Sequence, residues 1–160
     1  MKKLLKNATV FTNGKFEKCD VEVTNDVITN IASKIEGESF DVIYDLQNLY
    51  LLPGLIDVHT HLREPGFIYK ETIKTGSFAG AKGGYTSIAA MPNLNPTPDC
   101  YENLKLELDA IEKDASINVY PYGTITKGEK GEELANFEEM KDYVIAFSDD
   151  GKGVQSEKMM

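Results

Sequence analysis

The chain has 160 residues, of which 41% are hydrophobic and 27% are charged, and this composition indicates a globular protein rather than a disordered or collagen-like one. Its formal net charge of -9 is distributed along the sequence, which argues against nucleic acid as a partner. The longest apolar run, residues 49–56, is far shorter than the ~20 residues of a membrane helix, and the N-terminus lacks the apolar segment of a signal peptide, so we expect a cytoplasmic protein with no membrane partner.

The first 52 residues predict a series of short strands. Apolar stretches alternate with the turn signals Asn13-Gly14 and Asn25-Asp26. The expected strands are 4–11, 21–23, 27–31 and 42–46. These strands are too few and too short to form a stable β-sandwich alone. We therefore expect residues 1–52 to be part of a composite β-sandwich domain that other strands complete.

From residue 53 onward, strand and helix patterns alternate. The expected strands are 55–58, 86–90, 117–120 and 144–147, and the expected helices are 69–81, 101–113 and 132–141. Such a repeat of roughly 30 residues is typical of βαβ units and predicts a parallel sheet with helices outside. Gly83-Gly84 should end the first helix, and Asp99 should cap the second, with Glu102 three residues later.

Two histidines mark the end of the first strand of this region. His59 and His61 are two residues apart, so both imidazoles can reach the same metal ion from one face of a strand. A chance pair at this spacing is the alternative explanation, but Asp57, Arg63 and Glu64 place further polar groups around the same turn. A purely structural strand end has little reason to be so polar. The two cysteines, Cys19 and Cys100, lack zinc-finger spacing, and we expect free thiols.

Polar residues also follow the other three strands. Asn93 comes after the second, Thr124-Ile125-Thr126-Lys127 after the third and Asp149-Asp150-Gly151 after the fourth. The acidic pair could be an ordinary solvated turn, or one carboxylate could be a metal ligand. Barrel enzymes place their catalytic groups at the C-terminal ends of successive strands, whereas an open doubly wound sheet binds ligands near a switch point. The four positions together favour half of a (β/α)8 barrel.

The sequence resembles the N-terminal third of a bacterial-type dihydroorotase of the amidohydrolase superfamily. The matching segments are Pro53-Gly54-Leu55-Ile56-Asp57-Val58-His59-Thr60-His61-Leu62-Arg63-Glu64-Pro65-Gly66, Tyr69-Lys70-Glu71-Thr72, Gly83-Gly84-Tyr85-Thr86, Met91-Pro92-Asn93, Gly123-Thr124-Ile125-Thr126-Lys127-Gly128 and Phe147-Ser148-Asp149-Asp150-Gly151. The His-x-His element marks the superfamily only. The longer run after it and the Asp-Asp-Gly turn point to dihydroorotase.

This resemblance implies a (β/α)8 TIM barrel that reversibly converts N-carbamoyl-L-aspartate to L-dihydroorotate in pyrimidine biosynthesis. It implies two zinc ions, with His59 and His61 as ligands of one and Asp150 as the bridge to the other. His61, Arg63 and Asn93 would bind the substrate. Residues 53–160 would then be the first four strands and three helices of the barrel. The later ligands and the general acid/base aspartate are expected beyond residue 160, so we expect the isolated chain to be inactive.

Several alternatives remain open at this point. Hydantoinases and dihydropyrimidinases bridge their metals with a carboxylated lysine where this chain has Asp149-Asp150, which makes those two activities less favoured. Another cyclic amidohydrolase, such as a hydantoinase or allantoinase, is the alternative enzyme. A non-catalytic dihydroorotase-like scaffold subunit would tend to lose metal ligands. A complete metal-binding module of 160 residues would leave an unpaired sheet edge. The expected partners are a small-molecule substrate and, for the protein, a second copy or aspartate transcarbamoylase.

Overall fold

The computed structural model describes residues 1–37 and 39–159, and the chain divides into two compact units between Pro53 and Gly54. The first unit is a sheet of five strands: β1 (Lys2–Thr12), β2 (Lys15–Thr24), β3 (Val27–Ala32), β4 (Val42–Asp45) and β5 (Tyr50–Leu51). The order is β3-β2-β1-β4, with β5 also on β1. The β1–β2 and β2–β3 pairs are antiparallel, whereas β4 and β5 run parallel to β1.

The two turn signals form the hairpins of this sheet. Asn13 and Gly14 have φ of 50° and 77°, and Asn25 and Asp26 have φ of 49° and 66°. Positive φ at both central residues is the requirement of a tight two-residue hairpin turn, which explains the asparagines and the glycine. The core of the unit is built on Ala8, Val10 and Val21.

The second unit contains the predicted parallel sheet. Its elements are β6 (Leu55–Thr60), α1 (Ile73–Lys82), β7 (Tyr85–Ala90), α2 (Tyr101–Asp114), β8 (Asn118–Gly123), a short 3-10 helix (Lys127–Glu129), α3 (Phe137–Met140) and β9 (Ala146–Phe147). The strand order is β6-β7-β8-β9, and all three pairs are parallel. This curled sheet of four strands confirms the expected half-barrel.

Helices cover one face of the parallel sheet. Leu62, Ile73, Ile88 and Val119 are buried together in this layer. On β6, Ile56 pairs with Ser87, so it lies on the face opposite Ile88, and it is 68% exposed. One face of the half-barrel is therefore open and apolar.

Helix α1 begins at Ile73 and not at Tyr69 as the pattern predicts. Thr72 is its N-cap, since its hydroxyl accepts a hydrogen bond from the Thr75 N–H at 3.1 Å. The Glu64 carboxylate accepts the Ile73 N–H at 2.9 Å, which satisfies another free donor of the first turn. The predicted end of the helix is confirmed by Gly83 as C-cap, followed by Gly84 with φ of 86°.

The expected cap of α2 is wrong. The N-cap is Cys100, and the Asp99 carboxylate instead accepts hydrogen bonds from the Asn103 side chain at 2.9 Å and from the Gly128 N–H at 2.9 Å. Asp99 thus connects the start of α2 to the loop after β8.

The third predicted helix, 132–141, is also largely wrong, because only Phe137–Met140 is helical. The preceding residues pair with the loop after β8: the Lys127 N–H donates to the Glu133 carbonyl, and the Ala135 N–H donates to the Ile125 carbonyl. This pairing takes the backbone groups that a longer helix would need.

Candidate active site

Three potential metal ligands converge at the C-terminal edge of the parallel sheet. His59 and His61 come from the end of β6, and Asp150 follows β9. His59 Nε2 lies 3.5 Å from Asp150 Oδ1, and His61 Nε2 lies 3.6 Å from Asp150 Oδ2. One ligand atom from each residue lies within 4.8 Å of the other two. Two imidazoles and a carboxylate are a donor set that zinc accepts.

The surroundings of His61 favour its neutral form. Burial lowers the pKa of this imidazole, and the positive charge of Arg63 lowers it further, against the opposing effect of Asp150. Its Nδ1 atom is buried and has no hydrogen-bond partner in the described part of the chain. A neutral imidazole is the form that binds a metal, so the group fits a cation.

The two adjacent aspartates have different environments. Asp149 is buried, and its carboxylate accepts hydrogen bonds from the Ile125 N–H at 2.8 Å, the Thr126 N–H at 3.1 Å and the Thr126 hydroxyl. Asp149 therefore ties the end of β9 to the loop after β8. Asp150 is left to face the two histidines, and Asp150 is also the acid of this pair that the family resemblance implies as a metal ligand.

A cleft of about 500 Å³ opens beside the three potential metal ligands, within the second unit. Its polar lining includes His61, Arg63, Lys70, Asn93, Glu129, Asp150 and Lys152. The Arg63 guanidinium lies 3.4 Å from the backbone carbonyl of Asn93 and donates to it. The structure thus brings His61, Arg63 and Asn93, the three residues expected to bind substrate, to one cleft together with Asp150.

Lys127 does not line this cleft, although it follows β8. Its ammonium pairs with Glu133 at the surface. Thr124 and Thr126 are fully buried, and Thr126 is a partner of Asp149. The polar segment after the third barrel strand therefore supports the site rather than facing a ligand. Cys19 and Cys100 are free thiols.

Glu129 and Lys152 are cleft residues that the sequence did not indicate. The Glu129 carboxylate accepts a hydrogen bond from the Asn93 amide at 3.1 Å and lies 3.3 Å from the Lys152 ammonium. Burial raises the pKa of Glu129, and Lys152 opposes that shift. Glu129 belongs to a charged stretch, residues 129–133, and this pattern gives no sign that one of its acids points inward.

Comparison with known proteins identifies the family to which the chain belongs. A sequence profile described as "Dihydro-orotase-like" matches residues 49–160. The chain belongs to the dihydroorotase-like family. A protein named dihydroorotase from Fusobacterium nucleatum is 47% identical over 157 residues, which are 98% of this chain and 37% of that protein. The chain therefore spans little more than a third of the length of this dihydroorotase.

Solved structures of related hydrolases share the fold. L-hydantoinase (dihydropyrimidinase) from Arthrobacter aurescens superimposes on 91% of this chain and 32% of its own, with a TM-score of 0.77 and 17% identity. Dihydropyrimidinase from Brevibacillus agri covers 79% of this chain and 28% of its own, with a TM-score of 0.64 and 30% identity. Both similarities support the half-barrel architecture of this member of the dihydroorotase-like family. In residues 1–37 and 39–159, no helix is long and apolar enough to cross a membrane.

Proposed function

We propose that this chain contributes part of the active site of a dihydroorotase, which reversibly converts N-carbamoyl-L-aspartate to L-dihydroorotate in pyrimidine biosynthesis. The observation that carries this proposal is the convergence of His59, His61 and Asp150 beside a cleft that contains Arg63 and Asn93. Similarity to dihydroorotases along almost the whole chain supports it. We therefore propose dihydroorotase activity for the full-length protein that contains residues 1–160.

In this proposal, His59, His61 and Asp150 hold zinc, with Asp150 shared between two ions. Bound zinc supplies Lewis acidity and lowers the pKa of water. His61 belongs to the metal group and also lines the cleft, and we propose that it contacts the substrate as well. Ring opening requires water to add to the amide carbonyl, the C–N bond to break and the nitrogen to take a proton. The family resemblance implies that the residue that transfers this proton lies outside residues 1–160, and we propose that it does so in this protein.

Arg63 gives the substrate its orientation in this proposal. A guanidinium binds a carboxylate through two parallel N–H···O bonds, and both dihydroorotate and carbamoyl aspartate have a carboxylate beyond the reacting amide. The Arg63 guanidinium donates a hydrogen bond to the Asn93 backbone carbonyl, and this contact orients the guanidinium in the absence of substrate. A substrate without that carboxylate loses this contact.

The proposal is tested with the full-length protein that contains residues 1–160, loaded with zinc. Dihydroorotate hydrolysis and the reverse cyclisation are measured beside the hydrolysis of hydantoin and allantoin. We expect dihydroorotate to be preferred by about a hundredfold or more in kcat/KM. Preference for hydantoin or allantoin would identify another cyclic amidohydrolase. Metal-loaded protein with no turnover of any of these compounds would instead support the scaffold alternative.

We propose that residues 1–52 are part of a composite β-sandwich domain. The composite β-sandwich is supported by an apolar groove of about 180 Å³ in the first unit, lined by Val10, Val21, Ile28 and Leu51 among others, which further strands would cover. A cytoplasmic location and association with a second copy or with aspartate transcarbamoylase stay predictions of the sequence and the family resemblance.

A further inference from the structure

Glu129 is a buried carboxylate whose partners both line the cleft. Its side chain is only 3% exposed, although it belongs to a charged surface loop. It accepts a hydrogen bond from Asn93 Nδ2 at 3.1 Å and lies 3.3 Å from Lys152 Nζ. A buried carboxylate is costly unless it is paired, so these contacts are what allow Glu129 to point inward.

The backbone around Glu129 is arranged to turn this side chain toward the cleft. Gly128 and Glu129 have φ of 59° and 54°, and the Glu129 N–H donates to the Thr126 carbonyl at 3.0 Å. Left-handed φ is unfavourable for a residue with a Cβ, so the surrounding contacts must impose it. Strain at a charged residue whose carboxylate faces a binding cleft points to a role in that cleft.

The Asn93 amide has one satisfactory orientation in this network. Its nitrogen donates to Glu129 Oε1 at 3.1 Å and to the Asp150 carbonyl at 2.8 Å. Rotating the amide by half a turn would place its oxygen against two acceptors, which is repulsive. Glu129 therefore helps to decide which end of the amide faces the cleft.

Lys152 is held by the same carboxylate. Its side chain is 55% exposed, and a lysine in that position is free to extend into solvent unless a partner retains it. The pairing with Glu129 keeps the ammonium at the cleft, beside Asp150. One buried carboxylate thus connects a polar and a cationic group of the same binding surface.

Resting on the proposed function, we infer that Glu129 is a positioning residue for the substrate carboxylate. It holds the Asn93 amide in one orientation and keeps the Lys152 ammonium at the cleft, so that both groups are in place when an anionic ligand binds. The role is exerted through Asn93 and Lys152, and Glu129 itself does not touch the reacting atoms.

The test uses the zinc-loaded full-length protein and four variants. Glu129→Ala removes both contacts, Glu129→Gln keeps an acceptor for Asn93 but loses the ion pair, and Lys152→Gln loses the ion pair alone. Glu133→Gln is the matched control, since Glu133 is an acid of the same loop whose ion pair with Lys127 is exposed. We expect Glu129→Ala to raise the KM for dihydroorotate about tenfold with kcat within about threefold of wild type. Glu129→Gln and Lys152→Gln should each raise KM by about threefold, and Glu133→Gln should change neither constant.

A second measurement does not depend on turnover. In NMR spectra of the same proteins, the two Asn93 side-chain N–H signals should shift or broaden in Glu129→Ala and stay in place in Glu133→Gln. Absence of dihydroorotate turnover by the wild-type protein would count against the proposed function. The Asn93 signals would still show whether Glu129 positions the Asn93 amide. If the wild type is active and both Glu129 variants keep KM within about twofold, or lower it, the inference is overturned.

Discussion

At the scale of single residues, the candidate site contains two neighbouring carboxylates, Asp149 and Asp150, that have different contacts. Asp149 is satisfied by the loop after β8, through the Ile125 and Thr126 N–H groups and the Thr126 hydroxyl. This arrangement fixes the turn from which Asp150 extends toward His59 and His61. The first acid of the pair is therefore structural, and the second is free to bind metal.

Because the two aspartates have different roles, we predict that replacing Asp149 affects mainly stability and that replacing Asp150 affects mainly zinc binding. Asp149→Ala leaves the buried N–H groups of Ile125 and Thr126 without their acceptor, and we expect a loss of about 3 kcal/mol in the free energy of unfolding. Asp150→Ala should change that free energy by less than about 1 kcal/mol in metal-free protein while weakening zinc binding. Urea unfolding followed by circular dichroism and competition with a zinc chelator measure the two quantities. Asp142→Ala, at an exposed position, is the control. Equal loss of stability in Asp149→Ala and Asp150→Ala would contradict the different roles of the two aspartates.

Arg63 is the only arginine of the sequence, and it lies in the cleft. We predict that Arg63→Lys lowers kcat/KM for dihydroorotate by about tenfold or more in the full-length protein, because a point charge cannot reproduce a bidentate fork. Steady-state kinetics measure the effect. The control is the reverse exchange, Lys74→Arg, at an exposed position of α1, which should leave kcat/KM unchanged. An unchanged kcat/KM in Arg63→Lys would mean that Arg63 does not bind the substrate carboxylate.

Strand-end positions predict His59 and His61 as candidate ligands and leave the choice between Asp149 and Asp150 open, which the family resemblance decides in favour of Asp150. His59 lies near the end of β6, His61 comes directly after that strand, and Asp150 lies in the turn after β9; parallel strands bring such positions to one edge of a sheet. Glu129 could not be found in this way, because its inward direction results from two left-handed residues in a loop of several acids. Its role depends on tertiary contacts that no local pattern records.

At the scale of elements, predictions were accurate where hydrophobic periodicity and turn chemistry agreed. The hairpins at Asn13-Gly14 and Asn25-Asp26 and the parallel strands formed as expected, because local φ preferences and the apolar pattern favour the same structure. The segment 132–141 has helix-forming residues, but backbone pairing between Ala135 and Ile125 outweighed this preference. Helix propensity amounts to only a few tenths of a kcal/mol per residue, so tertiary contacts override it easily.

Helix α2 contains a buried acid, Glu107. Glu107 is fully buried between Leu104 and Ile111 on the same helical face, and both of its carboxylate oxygens lack a hydrogen-bond partner in the described residues. Burial raises the pKa of Glu107 well above its ordinary value of 4.5. The folded protein therefore retains a proton on Glu107 at pH values where the unfolded chain has lost it.

The sign of the pH dependence follows from this difference. The contribution of Glu107 to stability is complete below about pH 4.5, and it decreases by up to about 1.4 kcal/mol per pH unit as the pH rises toward the folded-state pKa. We predict that Glu107→Gln makes the free energy of unfolding less dependent on pH between about pH 5 and pH 8. Urea titrations across that range measure the slope, and Glu112→Gln on the exposed side of α2 is the control. Parallel slopes for wild type and Glu107→Gln would show that Glu107 is ionised in the folded protein.

At the scale of the whole molecule, the described residues leave apolar surface open in both units. In the second unit, Ile56 is 68% exposed and Val58 is 61% exposed. In the first unit, Val27 and Ile28 of β3 are 62% and 61% exposed. Exposed patches of this kind are typical of surfaces that another part of a protein covers. We expect residues 1–160, produced alone, to associate in size-exclusion chromatography unless such a cover is supplied.

We predict that residues 1–160 alone have no dihydroorotase activity, because they supply only part of the proposed site. The site proposed above requires ligands for two zinc ions and a group that transfers a proton, whereas the described residues assemble two imidazoles and one carboxylate. Zinc should also bind more weakly to this chain than to the full-length protein, since fewer ligands hold it. The measurement is dihydroorotate hydrolysis by mass-verified 1–160 protein with added zinc, beside the full-length protein at the same concentration. Turnover within about tenfold of the full-length protein corresponds to a barrier difference of only ~1.4 kcal/mol. Such a result would mean that His59, His61 and Asp150 suffice for catalysis and that the proposed division of the site is wrong.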